Sequence, residues 1–115
     1  MAATLSKSER LCGKKAIAEL MERGKGGSAG CLRYKFLPGT EGSRILVSVP
    51  KRFFKRAVKR NLLKRRIRES YRLQKGLLSA PVDVAFLYQA REVLPYDTVF
   101  AAMTEALKVI ASKTE

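Results

Sequence analysis

The chain has no histidine and only two cysteines, Cys12 and Cys31. Without imidazole, the commonest general base at neutral pH is missing. Two thiols with no patterned partners do not make a four-ligand zinc site. They read as reduced, partly buried side chains, because a disulfide does not persist in a reducing compartment. Acids are scarce as well: ten Asp and Glu in 115 residues, scattered so that no set of carboxylates converges as in a metal nuclease. Glu69, Asp83, Glu92 and Asp97 read as caps, salt-bridge partners and solvated surface. No stretch approaches the roughly 20 apolar residues of a membrane span. The opening MAATLSKSERLCGKK holds no apolar run of signal-peptide length. The expectation is a cytoplasmic protein with no membrane partner, no catalytic side chain of its own and no protein-bound metal.

What the chain has in excess is positive charge. Twenty-four Lys and Arg give a net charge of +14 and a pI near 10.3, the electrostatic signature of a polyanion partner, and for a folded domain this small that partner is expected to be nucleic acid. Apolar residues make up 46% of the sequence, enough for one hydrophobic core. Residues 1–115 are therefore expected to form a single nucleic-acid-binding domain.

Half of the basic residues, twelve of the 24, lie in residues 51–75, KRFFKRAVKRNLLKRRIRESYRLQK, against a single acid, Glu69. Periodicity decides whether this run is a tail or a folded surface. Placed on a helix at about 100° per residue, Asn61, Lys64, Arg65, Arg68 and Arg72 follow i, i+3, i+4, i+7 and i+11 and share one stripe. Val58, Leu62, Leu63, Ile67 and Tyr71 fall on the broad arc away from it, interrupted by Lys59 and Arg66. Large apolar residues in this phase predict a helix over 57–73 with one side in a core and a ladder of cations on the other.

Ahead of this helix, Ser6 or Ser8 can cap a first helix, with Glu9 near its positive end. Leu11, Ile17, Leu20 and Met21 mark its apolar side, and Gly24 is its stop. KGGSAG, residues 25–30, reads as a flexible turn, without the spacing or terminal Lys-Ser/Thr of a phosphate loop. CLRYKFL, residues 31–37, alternates: Leu32, Tyr34 and Phe36 point one way, Cys31, Arg33, Lys35 and Leu37 the other. RILVSV, residues 44–49, is the next strand, ended by Pro50, and the two read as an antiparallel hairpin. After the basic helix, which closes near Gly76, comes VDVAFLY, residues 82–88. It is mostly apolar and therefore internal in its sheet. In the last helix Tyr96, Val99, Phe100, Met103, Leu107 and Ile110 recur at helical spacing. A strand, the basic helix and a further strand of the same sheet would form a crossover unit.

The stretch SVPKRFFKRAVKRNLLKRRIRESYR resembles the signature of the bacterial ribonuclease P protein family, which runs Ser-Val-x-Lys-Lys, a short gap, then Ala-Val-x-Arg-Asn-Arg-x-Lys-Arg-x-Ile-Arg-Glu. Ser48, Val49, Lys51, Arg52, Ala57, Val58, Arg60, Asn61, Lys64, Arg65, Ile67, Arg68 and Glu69 match in order. Leu62 stands where the family carries Arg, with Arg66 nearby as replacement charge. The gap holds Phe53, Phe54, Lys55 and Arg56 without the family's glycine. The resemblance makes residues 1–115 a single RNA-binding domain and implies a single-domain α+β sandwich, helix, strands, basic helix, strand, helix. This arrangement is similar to the second domain of a small-subunit ribosomal protein, with a left-handed crossover in place of the usual right hand.

The resemblance also implies a role. In this family the RNA subunit and its Mg²⁺ cleave precursor tRNA, and the protein assists by binding both RNAs, with no further protein partner. RNA-binding residues would be Lys51, Arg52, Arg60, Asn61, Lys64, Arg65, Arg68 and Arg72, since guanidinium forks match phosphate oxygens and Asn bonds a phosphate, a 2′-hydroxyl or a base edge. A cleft lined by Ile17, Met21, Tyr34 and Phe36 would take the single-stranded 5′ leader, and its alternative reading is plain core. Phe53 and Phe54 either stack on bases or are buried under the helix start. Two other functions stay open at this point: a ribosomal-protein-like RNA chaperone without an enzymatic partner, and a nuclease acting alone.

Overall fold

The computed structural model describes residues 14–39, 43–78 and 80–114. Ser6, Ser8, Glu9, Leu11 and Cys12 lie outside the described residues. Helix α1 spans Lys14–Arg23, strands β1 Lys25–Ala29, β2 Leu32–Pro38 and β3 Arg44–Ser48, helix α2 Ala57–Gln74, strand β4 Val82–Tyr88 and helix α3 Tyr96–Thr114. A 3₁₀ turn, Lys75–Leu77, closes α2 beside Gly76, as read from the sequence. The four strands form one sheet in the order β1-β2-β4-β3. This is the α+β domain expected, and its crossover unit is present: β3 pairs parallel with β4, and α2 connects them.

Two readings of the strands are corrected. Residues 25–30 are not a flexible turn. Lys25–Ala29 is an edge strand, antiparallel to β2 from Lys25↔Phe36 to Ala29↔Leu32. Only Gly30 and Cys31 then connect the two strands, and Gly30 takes a φ of 55°, the left-handed conformation that tight hairpin turns place on glycine. Gln89 clamps this turn, its backbone N–H donating to the Cys31 carbonyl and its Nε2 to the Gly30 carbonyl and Ser28 Oγ.

Nor do β2 and β3 form a hairpin. Their directions are opposed, but β4 lies between them, antiparallel to β2 and parallel to β3. Two inter-strand spacings are about 10 Å, a distance that the connection at 39–43 spans easily. Both of its ends hold the start of β4: Gly39 N–H donates to the Pro81 carbonyl and Val82 N–H to Ser43 Oγ. The gap is worth filling because β4 buries Val82, Val84, Phe86 and Tyr88 on one face and Ala85 on the other.

One face of the sheet carries the main core. Leu32, Tyr34, Phe36, Ile45, Val47, Val84 and Phe86 meet Leu63, Ile67 and Tyr71 of α2 and Val99, Met103, Leu107 and Ile110 of α3. The opposite face carries α1, whose Leu20 packs with Ala85, Leu37 and Leu46, flanked by Ala16 and Ile17. Gly24 ends α1 as expected: its N–H donates to the Leu20 carbonyl at 2.8 Å, and a Cβ there would lie 2.4 Å from that oxygen. Cys31 is buried in the main core, which pushes its thiol pKa up and leaves it protonated and inert at neutral pH.

The buried face of α2 is narrower than the sequence suggests. It consists of Leu63, Ile67, Ser70, Tyr71 and Gln74. Val58 is 78% exposed, because five residues of helix place it about 140° from Leu63. Leu62 is half-buried and lies outside the core cluster.

Adjacent glycines of β1 provide a test of this packing. A Cβ on Gly27 would sit 2.4 Å from the ring of Tyr34, whereas at Gly26 nothing approaches closer than 3.7 Å. Gly27→Ala is expected to lower stability by about 1–3 kcal/mol through overpacking. Gly26→Ala is expected to change it by no more than about 0.5 kcal/mol. Denaturant midpoints of the two variants measure the difference.

Candidate nucleic-acid interface

Helix α2 presents its cations because its other side is committed to the core. Asn61 and Arg65 are exposed, and Lys64, Arg68 and Arg72 are half-buried along their stems, as expected of side chains that lay aliphatic length on a surface and hold the charge in water. The structure therefore brings the sequence-read stripe together. Among the described residues no side-chain partner engages Asn61, Lys64 or Arg65. Arg72 is already paired, its guanidinium meeting Glu69 Oε1 at 2.7 Å, so it offers only its remaining donors.

Arg60 has a different job from the one its sequence position suggests. It lies three residues before Leu63, on the core side of the helix start, and its Nη1 donates to the Phe54 carbonyl at 2.7 Å and the Lys55 carbonyl at 2.9 Å. Helix α2 has no side-chain N-cap, and Arg60 ties the incoming turn down in its place. Arg66 is also spent internally, since Nη1 donates to the Leu94 carbonyl. It is therefore not a free substitute for the arginine that Leu62 replaces.

Lys51 and Arg52 are exposed on the turn that links β3 to α2. Pro50 starts this turn, and its carbonyl accepts from the N–H groups of both Phe53 and Phe54 at 3.3 Å. The two phenylalanines divide as the sequence allowed. Phe54 is buried, edge-on to Tyr88 with ring centroids 5.8 Å apart. Phe53 is half-buried beneath the guanidinium of Arg52, 4.8 Å from its ring centroid, and that of Arg91, at 5.0 Å.

The cleft read from the sequence is regrouped. Tyr34 and Phe36 share the parity of Leu32, so their rings belong to the main core on the α3 side. Ile17 and Met21 are on α1, across the sheet. A side chain cannot line both faces of a strand. The Tyr34 ring lies over Gly27 and close to Glu105; burial first, then the Glu105 charge, pushes its phenol pKa up. Ile17 is packing around Leu20.

A cleft does exist on the α1 side, about 680 Å³ in volume. Met21, 42% exposed, forms part of its wall, and Arg33, Lys35, Leu46, Ser48, Ala85 and Leu87 supply much of the rest. Tyr34 and Phe86 line it too, so Met21 and Tyr34 of the expected cleft do meet here, and its charged side chains are both cationic. Lys35 Nζ reaches up to the Met21 carbonyl near the end of α1, and Arg33 has no acidic partner among the described residues. The sequence carried this signal in the β2 alternation, which sets Arg33 and Lys35 opposite Tyr34.

The described acids are dispersed as read. Arg44 takes Asp83 bidentately, with Nε and Nη2 at 3.0 and 2.8 Å from its two oxygens. Glu69 holds Arg72, and Asp97 sits in the first turn of α3. Among the described residues no three His, Cys, Asp or Glu side chains gather as a metal site, and no helix is long and apolar enough to cross a membrane.

Residues 5–111 match the Ribonuclease P family model. The chain is 40% identical over 118 residues to the ribonuclease P protein component of Porphyromonas gingivalis, covering 93% of this chain and 86% of that protein. It is 35% identical over 105 residues to the corresponding protein of Chlorobaculum tepidum, covering 76% and 68%. Among solved structures, the RNase P protein from Thermotoga maritima superposes with a TM-score of 0.77 at 26% identity, covering 88% of this chain and 96% of that one. The Staphylococcus aureus RNase P protein superposes with a TM-score of 0.79 over 90% and 96% at 20% identity, a likeness of fold.

Two measurements separate the cations that build the surface from those that use it. Arg60→Ala is expected to lose about 1.5–3 kcal/mol of stability with its charge-assisted bonds. Arg65→Ala should stay within about 0.5 kcal/mol of the parent and weaken RNA binding. The triple variant Lys64→Ala, Arg65→Ala, Arg68→Ala should flatten the slope of log affinity against log salt by about two to three units. A control replacing Lys14, Lys108 and Lys113 removes the same charge and should keep most of the slope. Equal slopes in the two triple variants would mean that net charge alone attracts the RNA.

Proposed function

Because this chain belongs to the ribonuclease P protein family, we propose that it is the protein subunit that binds the catalytic RNA of that enzyme and the 5′ leader of precursor tRNA, assisting endonucleolytic removal of the leader. Membership associates the chain with an endoribonuclease complex of tRNA processing. The observation that carries the finer reading is the stripe of Asn61, Lys64 and Arg65, unpartnered among the described residues, on a helix whose opposite side is locked into the core by Leu63, Ile67 and Tyr71. A helix already fixed by its core side presents these donors without a backbone ordering cost at the moment of binding, so only the side chains are ordered by a phosphate backbone. Each phosphate neutralised releases counterions, which reduces repulsion between two RNAs that must meet.

The chemistry is assigned to the RNA. The chain has no histidine, and the carboxylates of Asp83 and Glu69 are held by arginines. These residues do not fit a protein-bound Mg²⁺, which wants oxygens converging on one point. Mg²⁺ therefore belongs on the RNA subunit in this reading, and no step is routed through the protein. The α1-side cleft is assigned to the leader: Arg33 and Lys35 face its phosphates, while Met21, Leu46 and Leu87 pack against its bases and sugars.

Reconstitution tests this reading against its competitors. The purified protein is mixed with precursor tRNA in the presence and absence of the catalytic RNA at low Mg²⁺. Cleavage only with the RNA, enhanced by the protein, is the expected outcome. Cleavage by the protein alone would make it a nuclease, and binding without any enhancement would make it an RNA chaperone.

A further inference from the structure

The ring of Phe53 is met by two arginines that come from different parts of the chain. Arg52 precedes it on the turn between β3 and α2, and Arg91 sits on the loop between β4 and α3. Their guanidinium carbons are 4.8 and 5.0 Å from the Phe53 ring centroid. We infer that Phe53 is a positioning residue that holds Arg52 and Arg91 as one two-guanidinium clamp for a phosphodiester of the single-stranded precursor leader where it leaves the α1-side cleft. The inference rests on the leader assignment made above.

The clamp is built from beneath. Tyr88 is buried, and its hydroxyl donates to the Glu92 carbonyl at 2.6 Å and accepts from Leu94 N–H at 3.1 Å. Arg66 holds the Leu94 carbonyl from α2. The loop that bears Arg91 is thus fixed at residues on its far side. The ring of Phe54 packs edge-on to Tyr88, and Pro50 fixes the backbone of both phenylalanines. Two anchored loops therefore meet at one aromatic ring.

Sharing one ring holds the two guanidinium carbons no more than about 10 Å apart, and like charges at that range repel unless something offsets them. The ring face supplies part of the offset, but an acid does not: among the described residues no Asp or Glu pairs with Arg52 or Arg91. Both arginines are exposed. What completes the arrangement is an anion with several acceptor oxygens, the group that guanidinium forks match best.

Position selects which phosphate. Strands β3 and β4 run parallel, so their C-terminal ends lie at the same end of the sheet, and the loops of Arg52 and Arg91 both leave from there. Ser48 and Leu87, at those ends, line the cleft. Phe53 packs against the main core at that end, so a single strand lying in the cleft reaches the clamp by rounding the end of the sheet past Ser48 and Leu87. The α2 stripe, by contrast, faces away from the core on the other side of the sheet.

The test uses the reconstituted holoenzyme and measures affinity across salt for precursor tRNA, for mature tRNA without leader, and for the catalytic RNA alone. Arg52→Gln, Arg91→Gln and their double are made in the parent and in the Phe53→Leu background, with Lys113→Gln as a charge control. Arg91→Gln is expected to weaken precursor binding about fivefold and to flatten its salt slope by about 0.7. Mature tRNA and catalytic RNA binding should be unchanged. In the parent the two arginine losses should couple, the double losing little more than either single. In the Phe53→Leu background, which keeps apolar packing but removes the ring, each loss should shrink and the coupling should vanish. A purely structural Phe53 would instead lower the melting temperature and weaken all three RNAs alike, with the coupling intact, and that result overturns the inference. So does an Arg91→Gln variant that behaves like Lys113→Gln, or one that loses catalytic RNA binding equally. A parent holoenzyme that cleaves while these variants show no leader-specific loss removes the clamp alone. A parent that gives no protein-dependent cleavage removes the reading beneath it as well.

Discussion

The pairing of β4 with β2 on one side and β3 on the other sets the position of nearly everything else. β4 buries side chains on both faces, and in the middle of the sheet all seven of its positions pair with β2 while Asp83–Leu87 pair with β3 as well. Once it is there, the connection from β3 must cross a face of the sheet, and the crossing segment is α2. The helix then has no choice of orientation about its axis. Leu63, Ile67 and Tyr71 go down into the core, and Asn61, Lys64 and Arg65 go out. The loops that leave the parallel ends of β3 and β4 are brought to the same end of the molecule for the same reason.

A chain of net charge +14 does not offer all of that charge to a partner. Arg44 is bound to Asp83 across the β3–β4 ladder, Arg60 ties down the start of α2, Arg66 fastens the loop before α3, and Arg72 is paired with Glu69. These guanidinium groups act as internal connectors, a use for which five donors on a rigid plane are well suited. Other cations sit on α2, on the turn before it, on the cleft side of β2 and at Arg91, while Lys14, Lys15, Arg23, Lys25, Lys108 and Lys113 are spread over α1, β1 and α3. The division matters for reading substitutions. On the proposed function, loss of a connecting arginine would lower stability and binding together, whereas loss of an outward one would lower binding alone.

The α1-side cleft has a consequence for recognition. Aromatic rings give a single strand stacking surfaces worth about 1–3 kcal/mol per base, but the rings of Tyr34 and Phe36 are in the main core on the far side of the sheet. On the proposed function, a strand in this cleft would meet mainly aliphatic side chains and two cations. Such a surface would grip the backbone, follow ionic strength closely and discriminate little among bases.

Much of this was legible from local pattern. The α2 stripe, the internal character of Val82–Tyr88, the core side of α3, the stop at Gly24 and the crossover between parallel strands all follow from periodicity and turn chemistry within single segments. The resemblance carried by Ser48 to Glu69 placed the family. Four features were decided only in three dimensions. KGGSA has the composition of a turn and becomes a strand because β2 leaves an edge for it, as pairing can override weak propensity. β2 and β3 are neighbours in sequence but not in the sheet, because β4 competes better for the gap. Arg60 and Arg66 look like their neighbours in the basic run until the carbonyls they reach are known. Phe53 is one of two adjacent phenylalanines until Arg91 arrives on its face from another loop. Period and composition belong to a segment by itself, so the sequence alone determines them. Which face, which neighbour and which partner a residue meets depends on competition among segments far apart in the chain, and only the packed structure resolves it.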